Sequence, residues 1–151
     1  MNPLTEYQRA LDTVSKAVLA GDFETFVVQI DLPYLVHHET ARHLITRAED
    51  LRATFETLSQ GLAKRGVTHY ERIARTAEFA ARDRIEGLHY THMIANGAHI
   101  AYPHASCETI VNRGDRWLFS EAHYQLKSGW PVDDATMFST RAAPVPGRGL
   151  P

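Results

Sequence analysis

The sequence predicts an α+β fold in which three N-terminal helices pack on a strongly curved antiparallel sheet and leave an internal pocket. Apolar residues recur at helical spacing up to residue 65, and long strands separated by turn residues follow from Thr68. At 151 residues, the chain has the length of one domain. We place this domain at 1–130 and predict a mobile tail over 131–151, which is rich in Gly, Pro and Ala.

The helices are indicated by capping patterns and apolar stripes. Thr5 with Gln8, and Thr46 with Glu49, form capping-box patterns at the starts of the first and third helices. Between them, Asp22 favours the start of a short second helix, directly after a glycine suited to end the first. The stripes predicted to face the core are Tyr7, Leu11, Val14 and Val18 in the first helix, and Leu51, Phe55, Leu58 and Leu62 in the third.

The second half of the chain has the pattern of an antiparallel meander. We predict strands over 68–81, 84–95, 98–111 and 116–126, preceded by short extended segments near 34–37 and 42–45. The turns are predicted at 82–83, 96–97 and 112–114. Because long antiparallel strands twist and one face must be covered by the helices, the sheet is expected to be concave.

Composition argues against several classes of partner. Lys and Arg number 16 against 18 Asp and Glu, a formal net charge of −2, so nucleic acid is not an expected partner. No apolar run approaches the roughly 20 residues of a membrane span, and the first residues lack the pattern of a secretory signal. Cys107 is the single cysteine, which excludes an internal disulfide and predicts a reducing, cytoplasmic setting.

Two segments resemble the nuclear transport factor 2-like superfamily, particularly its SnoaL-like and steroid-isomerase-like branches. One is Ala-Val-Leu-Ala-Gly-Asp-Phe-Glu at 17–24, and the other is 112–119, in which a turn precedes Trp117. The order of elements over 5–126 is also similar to that of the family. The resemblance implies a cone-shaped α+β barrel with an internal pocket, a small-molecule ligand, and a homodimer formed through the sheet.

The resemblance does not supply a catalytic pair. In steroid-isomerase-like members, a tyrosine on the first helix holds an oxyanion and a carboxylate near the first strand moves the proton. Counted from Gly21 and Asp22, these positions fall on Val14 and near His38. SnoaL-like cyclases use an acidic pocket residue, which stays unassigned in this sequence. The resemblance therefore implies the fold and not a reaction.

The nine histidines are the unusual feature of the composition, because imidazole titrates near neutral pH. If Asn96–Gly97 forms a two-residue hairpin turn, His89 lies opposite His104. A two-residue turn at 113–114 would add His123, giving three imidazoles in a row that could hold a metal, whereas a three-residue turn over 112–114 would put His123 on the other face. We interpret His89 and His104 as polar lining or part of a dimer face, and assign no metal and no cofactor.

The predicted pocket residues are the aromatic and imidazole side chains of the strands: His38, Tyr34, His89, Tyr90, Tyr102, His104 and His123. The candidates for catalysis are His104, His123 and Glu121, since a neutral imidazole or a desolvated carboxyl transfers protons near pH 7. The cluster over 37–43 lacks the helical spacing of a His-Glu-x-x-His zinc site, so we interpret it as a solvated or pocket-rim cluster.

These observations leave three functions open. The preferred function is a SnoaL-like pocket protein that binds a small apolar or aromatic metabolite. The first alternative is a small-molecule isomerase, cyclase or dehydratase that uses histidine acid–base chemistry. The second alternative is a non-catalytic dimeric assembly module. The predicted partners are a small molecule and a second copy of the chain, with neither nucleic acid nor a membrane.

Overall fold

The computed structural model describes residues 1–38 and 41–124. The helices are α1 (Pro3–Ala20), α2 (Phe23–Val27) and α3 (Ala48–Lys64). The strands are β1 (Ile30–His38), β2 (Ala41–Ile45), β3 (Val67–Ala81), β4 (Arg84–Ala95), β5 (Ala98–His99), β6 (His104–Asn112) and β7 (Trp117–Tyr124). Three helices packed on a curved sheet confirm the predicted fold class. The tail predicted over 131–151 lies outside the described residues.

The helix ends differ from the prediction at two of the three N-termini. The Asn2 side chain caps α1 by accepting a hydrogen bond from the Leu4 backbone N–H at 2.9 Å, so the helix starts before Thr5. Pro3 at the first helical position favours this start, since its fixed φ suits a helix and it lacks an N–H. At α3, Arg47 is the cap residue and makes no side-chain cap hydrogen bond. The predicted cap of α2 is confirmed, because Asp22 accepts from the Thr25 N–H at 3.2 Å.

The sheet has the strand order β2-β1-β7-β6-β4-β3, with β5 paired to β4. All of these pairs are antiparallel except β1 with β7, which is parallel, so the sheet is mixed rather than purely antiparallel. β2 and β3 lie at opposite ends of this order, and the sheet is therefore curved but open. The parallel pair brings the first strand of the chain beside the last one.

The core lies between the helices and the concave face of the sheet. The predicted stripe of α1 is buried throughout, and in α3 Leu51, Phe55 and Leu62 are buried while Leu58 is half-buried. These side chains pack in one cluster with Ile85, Ile110 and Phe119 of the sheet. Among the described residues, no helix combines the length and apolar character that crossing a membrane would need.

The strand register differs from the predicted one after Asn96–Gly97. Ala95 pairs with Ala98 as predicted, but the predicted strand over 98–111 is interrupted between β5 and β6, where Pro103 lacks an N–H for the ladder. As a result His104 lies opposite Thr91, and His89 lies opposite Ser106.

The turn between β6 and β7 is longer than either predicted alternative. Asn112 pairs with Trp117, so four residues, 113–116, form the connection. An irregularity then falls at Ser120, because Thr109 pairs with Glu121 and Ile110 with Phe119. His123 consequently lies opposite Cys107. The row of His89, His104 and His123 is therefore wrong.

Candidate functional site

A cavity of about 80 Å³ lies between the helices and the concave face of the sheet. The helices contribute mainly apolar wall, including Val14, Val18, Phe26, Phe55 and Leu58. The sheet contributes the polar wall, which comprises Tyr34, Tyr70, Arg72, Thr91, His104, Ser106, Glu108 and Tyr124. The cavity thus has an apolar side and a polar side.

Glu108 is the centre of the polar wall. Its side chain is 3% exposed, and its Oε1 accepts hydrogen bonds from the Tyr34 hydroxyl at 2.8 Å and the Tyr124 hydroxyl at 3.1 Å. Its Oε2 lies 3.4 Å from Nη1 of Arg72, which is also buried. Alternation along β6 aims Glu108 to the same side as His104 and Ser106. Side chains from four strands, β1, β3, β6 and β7, therefore meet at one buried carboxyl group.

The charges of this wall follow from burial. Burial raises the pKa of Glu108, and the Arg72 guanidinium and the two tyrosine hydroxyls offset this effect only in part. Burial also raises the pKa values of Tyr34 and Tyr124, so both keep their protons and act as donors. Burial acts to lower the pKa of Arg72, but neighbouring ionisable groups, Glu108 among them, outweigh it and the guanidinium stays charged.

Arg72 has one nitrogen that this wall does not satisfy. Its Nε donates to the Ser15 hydroxyl at 2.9 Å and its Nη1 faces Glu108. Its Nη2 is buried and has no hydrogen-bond partner among the described residues. An unsatisfied buried donor costs about 1–3 kcal/mol. An acceptor oxygen placed beside Arg72, from water or from a ligand, would remove this cost.

A second buried polar pair lies next to the cavity, beneath α1. The Tyr7 hydroxyl and Nδ1 of His89 are 2.7 Å apart, and both residues are fully buried. Burial, and then the charge of Arg72, lowers the pKa of His89 to about 3, so its imidazole is neutral at pH 7. Burial raises the pKa of Tyr7, which therefore donates to Nδ1, and the imidazole proton resides on Nε2. His89 thus supports α1 and does not line the cavity.

The structure distributes the predicted site residues over several places. Tyr34 and His104 line the cavity. Tyr102 is 92% exposed, and Tyr90 lies on the outer face of the sheet under the Arg75 guanidinium. Glu121 and His123 also lie on that outer face, which points away from the helices. His38 ends β1, and its side chain lies outside the part of the structure that is described.

Sequence reasoning missed the residues at the centre of the polar wall, Glu108, Arg72 and Tyr124. The signal for Glu108 was the period of two along a strand, since a residue four positions after His104 must share its face. Val14, where the steroid-isomerase-like branch has its tyrosine, lies on the cavity wall. The hydroxyl groups come instead from Tyr34 and Tyr124 on the sheet.

Metal-binding side chains are sparse around the cavity. His104 and Glu108 are the imidazole and the carboxylate of its wall, and Glu108 already accepts from two hydroxyls and faces Arg72. Within 1–38 and 41–124, the one group of three such side chains that converges is His37, Glu121 and His123, on the outer face. The cavity is therefore better suited to an organic ligand than to a metal.

Comparison with known proteins bears on the fold. No protein-family model matches the sequence, and no curated protein matches it either. Among solved structures, it is similar to an NTF-2 like protein of unknown function from Shewanella oneidensis, with a TM-score of 0.65 and 8% identity over 82% of this chain and 99% of that one.

Two further solved structures differ in their described roles. A proposed aromatic ring hydroxylase from Novosphingobium aromaticivorans gives a TM-score of 0.60 and 8% identity, over 82% of this chain and 88% of that chain. A proposed calcium/calmodulin-dependent protein kinase type II association domain from Thiobacillus denitrificans gives a TM-score of 0.62 and 13% identity, over 78% of this chain and 93% of that chain. The chain therefore has the nuclear transport factor 2-like fold, which confirms the fold that the resemblance implied. At these identities, the likeness concerns the fold and not a function.

Proposed function

We propose that the protein binds a small, largely apolar molecule that carries one neutral acceptor oxygen, such as a ketone. The observation that carries this proposal is Arg72, a cavity-lining residue with a buried nitrogen that has no partner among the described residues. Because Glu108 already balances the charge of Arg72, a carbonyl oxygen suits the position better than a second carboxylate would. The apolar part of the ligand would contact Phe26, Phe55 and Leu58.

The size of the cavity limits the ligand. Its volume is about 80 Å³, whereas an engineered cavity that binds benzene has a volume of roughly 150 Å³. A ligand with a six-membered ring therefore requires outward movement of wall side chains. Phe26 and Leu58 are half-buried and lie on the helix side, so they are the side chains that would move. We accordingly propose a compact cyclic or short-chain compound.

Ligand-observed NMR with cyclohexanone and methylcyclohexane tests this proposal. We expect saturation transfer to both compounds and a several-fold lower Kd for the ketone, because only the ketone offers an oxygen to Arg72. The variant Leu58→Trp fills the cavity from α3 and should abolish binding of both. Its matched control is Leu19→Trp, since Leu19 is 38% exposed on α1 and does not line the cavity. Binding that persists in Leu58→Trp, or no binding to the wild-type chain, would contradict the proposal.

Proton transfer by Glu108 is the second candidate function. It is favoured by a carboxyl group whose pKa is raised by burial, on the same wall as His104, because such groups act as acids or bases near neutral pH. In D₂O, a catalytic Glu108 would exchange the α-protons of bound cyclohexanone for deuterium, which the same NMR samples report. Exchange at the rate of the buffer in the wild-type chain, or unchanged exchange in Glu108→Gln, would leave binding alone as the function.

We further propose that the chain forms a homodimer through the outer face of the sheet and resides in the cytoplasm. The outer face carries Ile73, which is 45% exposed, beside Tyr90 of the neighbouring strand. Light scattering should give about twice 17.0 kDa for the wild-type chain and 17.0 kDa for Ile73→Glu. Leu19→Glu on α1 should leave the mass unchanged, and a wild-type mass of 17.0 kDa would refute the dimer. Cell fractionation tests the location.

A further inference from the structure

A cluster of ionisable side chains lies on the outer face of the sheet, and the proposed function makes no use of it. The parallel pairing of β1 and β7 places His37 opposite His123. Glu121 precedes His123 by two residues on β7, so all three side chains leave the sheet on the same face. The antiparallel pairing of β6 and β7 adds Cys107 opposite His123. Three strands thus bring four potential metal ligands to one patch.

The distances in this cluster are close to those of a coordination sphere. Nε2 of His37 lies 2.8 Å from Oε1 of Glu121, and Nε2 of His123 lies 3.8 Å from the same oxygen. The ligand atoms of the three residues all lie within 4.8 Å of one another. In a tetrahedral zinc site with bonds of about 2.0–2.1 Å, neighbouring ligand atoms are about 3.4 Å apart. Side-chain movements of about 1 Å would therefore bring the three ligand atoms to the spacing of a zinc site.

The two imidazole rings are arranged so that one is held and the other has room to adjust. They stack with centroids 4.0 Å apart and an interplanar angle of 4°. The side chain of His37 is 9% exposed, whereas that of His123 is 51% exposed. A rotation of the exposed His123 ring would direct its nitrogen toward the ion. His37 and Glu121 would form the fixed part of the site.

The neighbouring polar atoms indicate which ligand atoms face the site. Oε2 of Glu121 forms an ion pair with Nη2 of Arg84 at 3.7 Å, whereas Oε1 of Glu121 faces the two histidines. Nδ1 of His37 is buried and has no hydrogen-bond partner among the described residues. Nε2 of His37 is the nitrogen that faces Glu121, so Nε2 would be the ligand atom and Nδ1 would carry the ring proton.

We propose that His37, Glu121 and His123 bind a zinc ion on the outer face of the sheet. Two imidazoles and one carboxylate form the ligand set of open zinc sites, in which water completes the tetrahedron. Imidazole nitrogen selects zinc and its transition-metal neighbours over magnesium and calcium, which prefer oxygen. The half-exposed His123 gives the ion a path of entry. Cys107 is adjacent, and the three-ligand site does not require it.

Calorimetric titration of the full chain with ZnCl₂, after treatment with EDTA, tests the site at pH 7.5. We expect one zinc ion per chain, and a roughly tenfold or greater loss of affinity in His123→Ala and in Glu121→Gln. Both changes are made at side chains that are at least partly exposed, so the fold should persist, which circular dichroism checks. His37 is buried and is left unchanged for the same reason.

Two matched controls address the other metal-binding side chains. His92 and His99 form a second histidine pair at 3.1 Å, at the edge made by β4 and β5, and His99→Ala should bind zinc as the wild-type chain does. Cys107→Ser should also retain binding. The proposal is overturned if the wild-type chain binds zinc no better than the double variant His123→Ala/Glu121→Gln. It is equally overturned if His99→Ala or Cys107→Ser loses the one-to-one binding.

Discussion

Replacing Arg72 by methionine is expected to lower the free energy of unfolding by about 3–5 kcal/mol, because it leaves the buried carboxyl group of Glu108 without its charged partner. Both side chains are almost fully buried, at 6% and 3% exposure. Urea unfolding at pH 7.5 measures the loss. The loss should be smaller at pH 5, because burial already raises the pKa of Glu108. Without Arg72 that pKa rises further, and the protonated carboxyl tolerates burial better.

The double variant Arg72→Met/Glu108→Gln measures the interaction between these two side chains apart from their contacts with the rest of the protein. A glutamine at 108 still accepts hydrogen bonds from Tyr34 and Tyr124, but it carries no charge to leave unpaired. The double variant should therefore lose about 1–3 kcal/mol less than the sum of the single variants. The surface control is Arg9→Met, whose ion pair with Glu6 involves an arginine that is 67% exposed. It should change stability by no more than about 0.5 kcal/mol, and an equal loss there would refute the argument.

Replacing Gly87 by alanine is expected to cost about 1–3 kcal/mol, although such a change elsewhere often stabilises a protein. A Cβ at this position would lie 2.5 Å from Cζ and 2.6 Å from Cδ2 of Tyr7. The Tyr7 ring is fully buried and its hydroxyl is bonded to His89, so it cannot retreat without breaking that bond. The added methyl group would push α1 away from β4. Thermal unfolding should show a lower Tm for Gly87→Ala.

A rescue variant tests whether the Tyr7 ring is the cause. In the background of Tyr7→Leu, which is destabilised in its own right, the added Cβ meets a smaller side chain. The further cost of Gly87→Ala should then fall to about zero. An undiminished cost in that background would show that the backbone of β4, rather than contact with the ring, requires glycine.

The helices were predictable because their signals are local. A stripe of apolar residues at helical spacing needs one face to bury, and the stripe beginning at Tyr7 is buried throughout. The start of α1 was misplaced because two signals competed within the same turn. Asn2 followed by Pro3 prevailed over the capping box at Thr5, and the helix gained residues at its N-terminus.

The sheet was predictable as a set of strands but not as a register. Asn96–Gly97 fixed the start of its hairpin, yet the interruption at Pro103 moved His104 by two residues along β4. The turn before Trp117 was also longer than the Asn-Arg-Gly pattern indicated. Each slip changes which side chains meet, and no local signal encodes the parallel pairing of β1 with β7.

Only part of the candidate site could be predicted from the sequence. Tyr34 and His104 could be proposed because aromatic and imidazole side chains on strands stand out in the sequence. Glu108 and Arg72 look like ordinary charged residues, and they become notable only when the two strands that carry them curve toward the same cavity. Their burial is a property of the assembled cone, which local sequence patterns do not report.

The position of β7 between β1 and β6 also determines when the cone is completed. The hairpin of β1 and β2 is linked by hydrogen bonds to the meander through β7, which is the last described strand of the chain. α1 and the strands β3, β4 and β6 can associate earlier, but the first strand waits for a partner made more than 80 residues later. Such long-range closure carries a high entropic cost and slows folding. In a newly synthesised chain, this edge of β1 therefore stays unpaired until 117–124 has emerged from the ribosome, and an unpaired edge can pair with another chain.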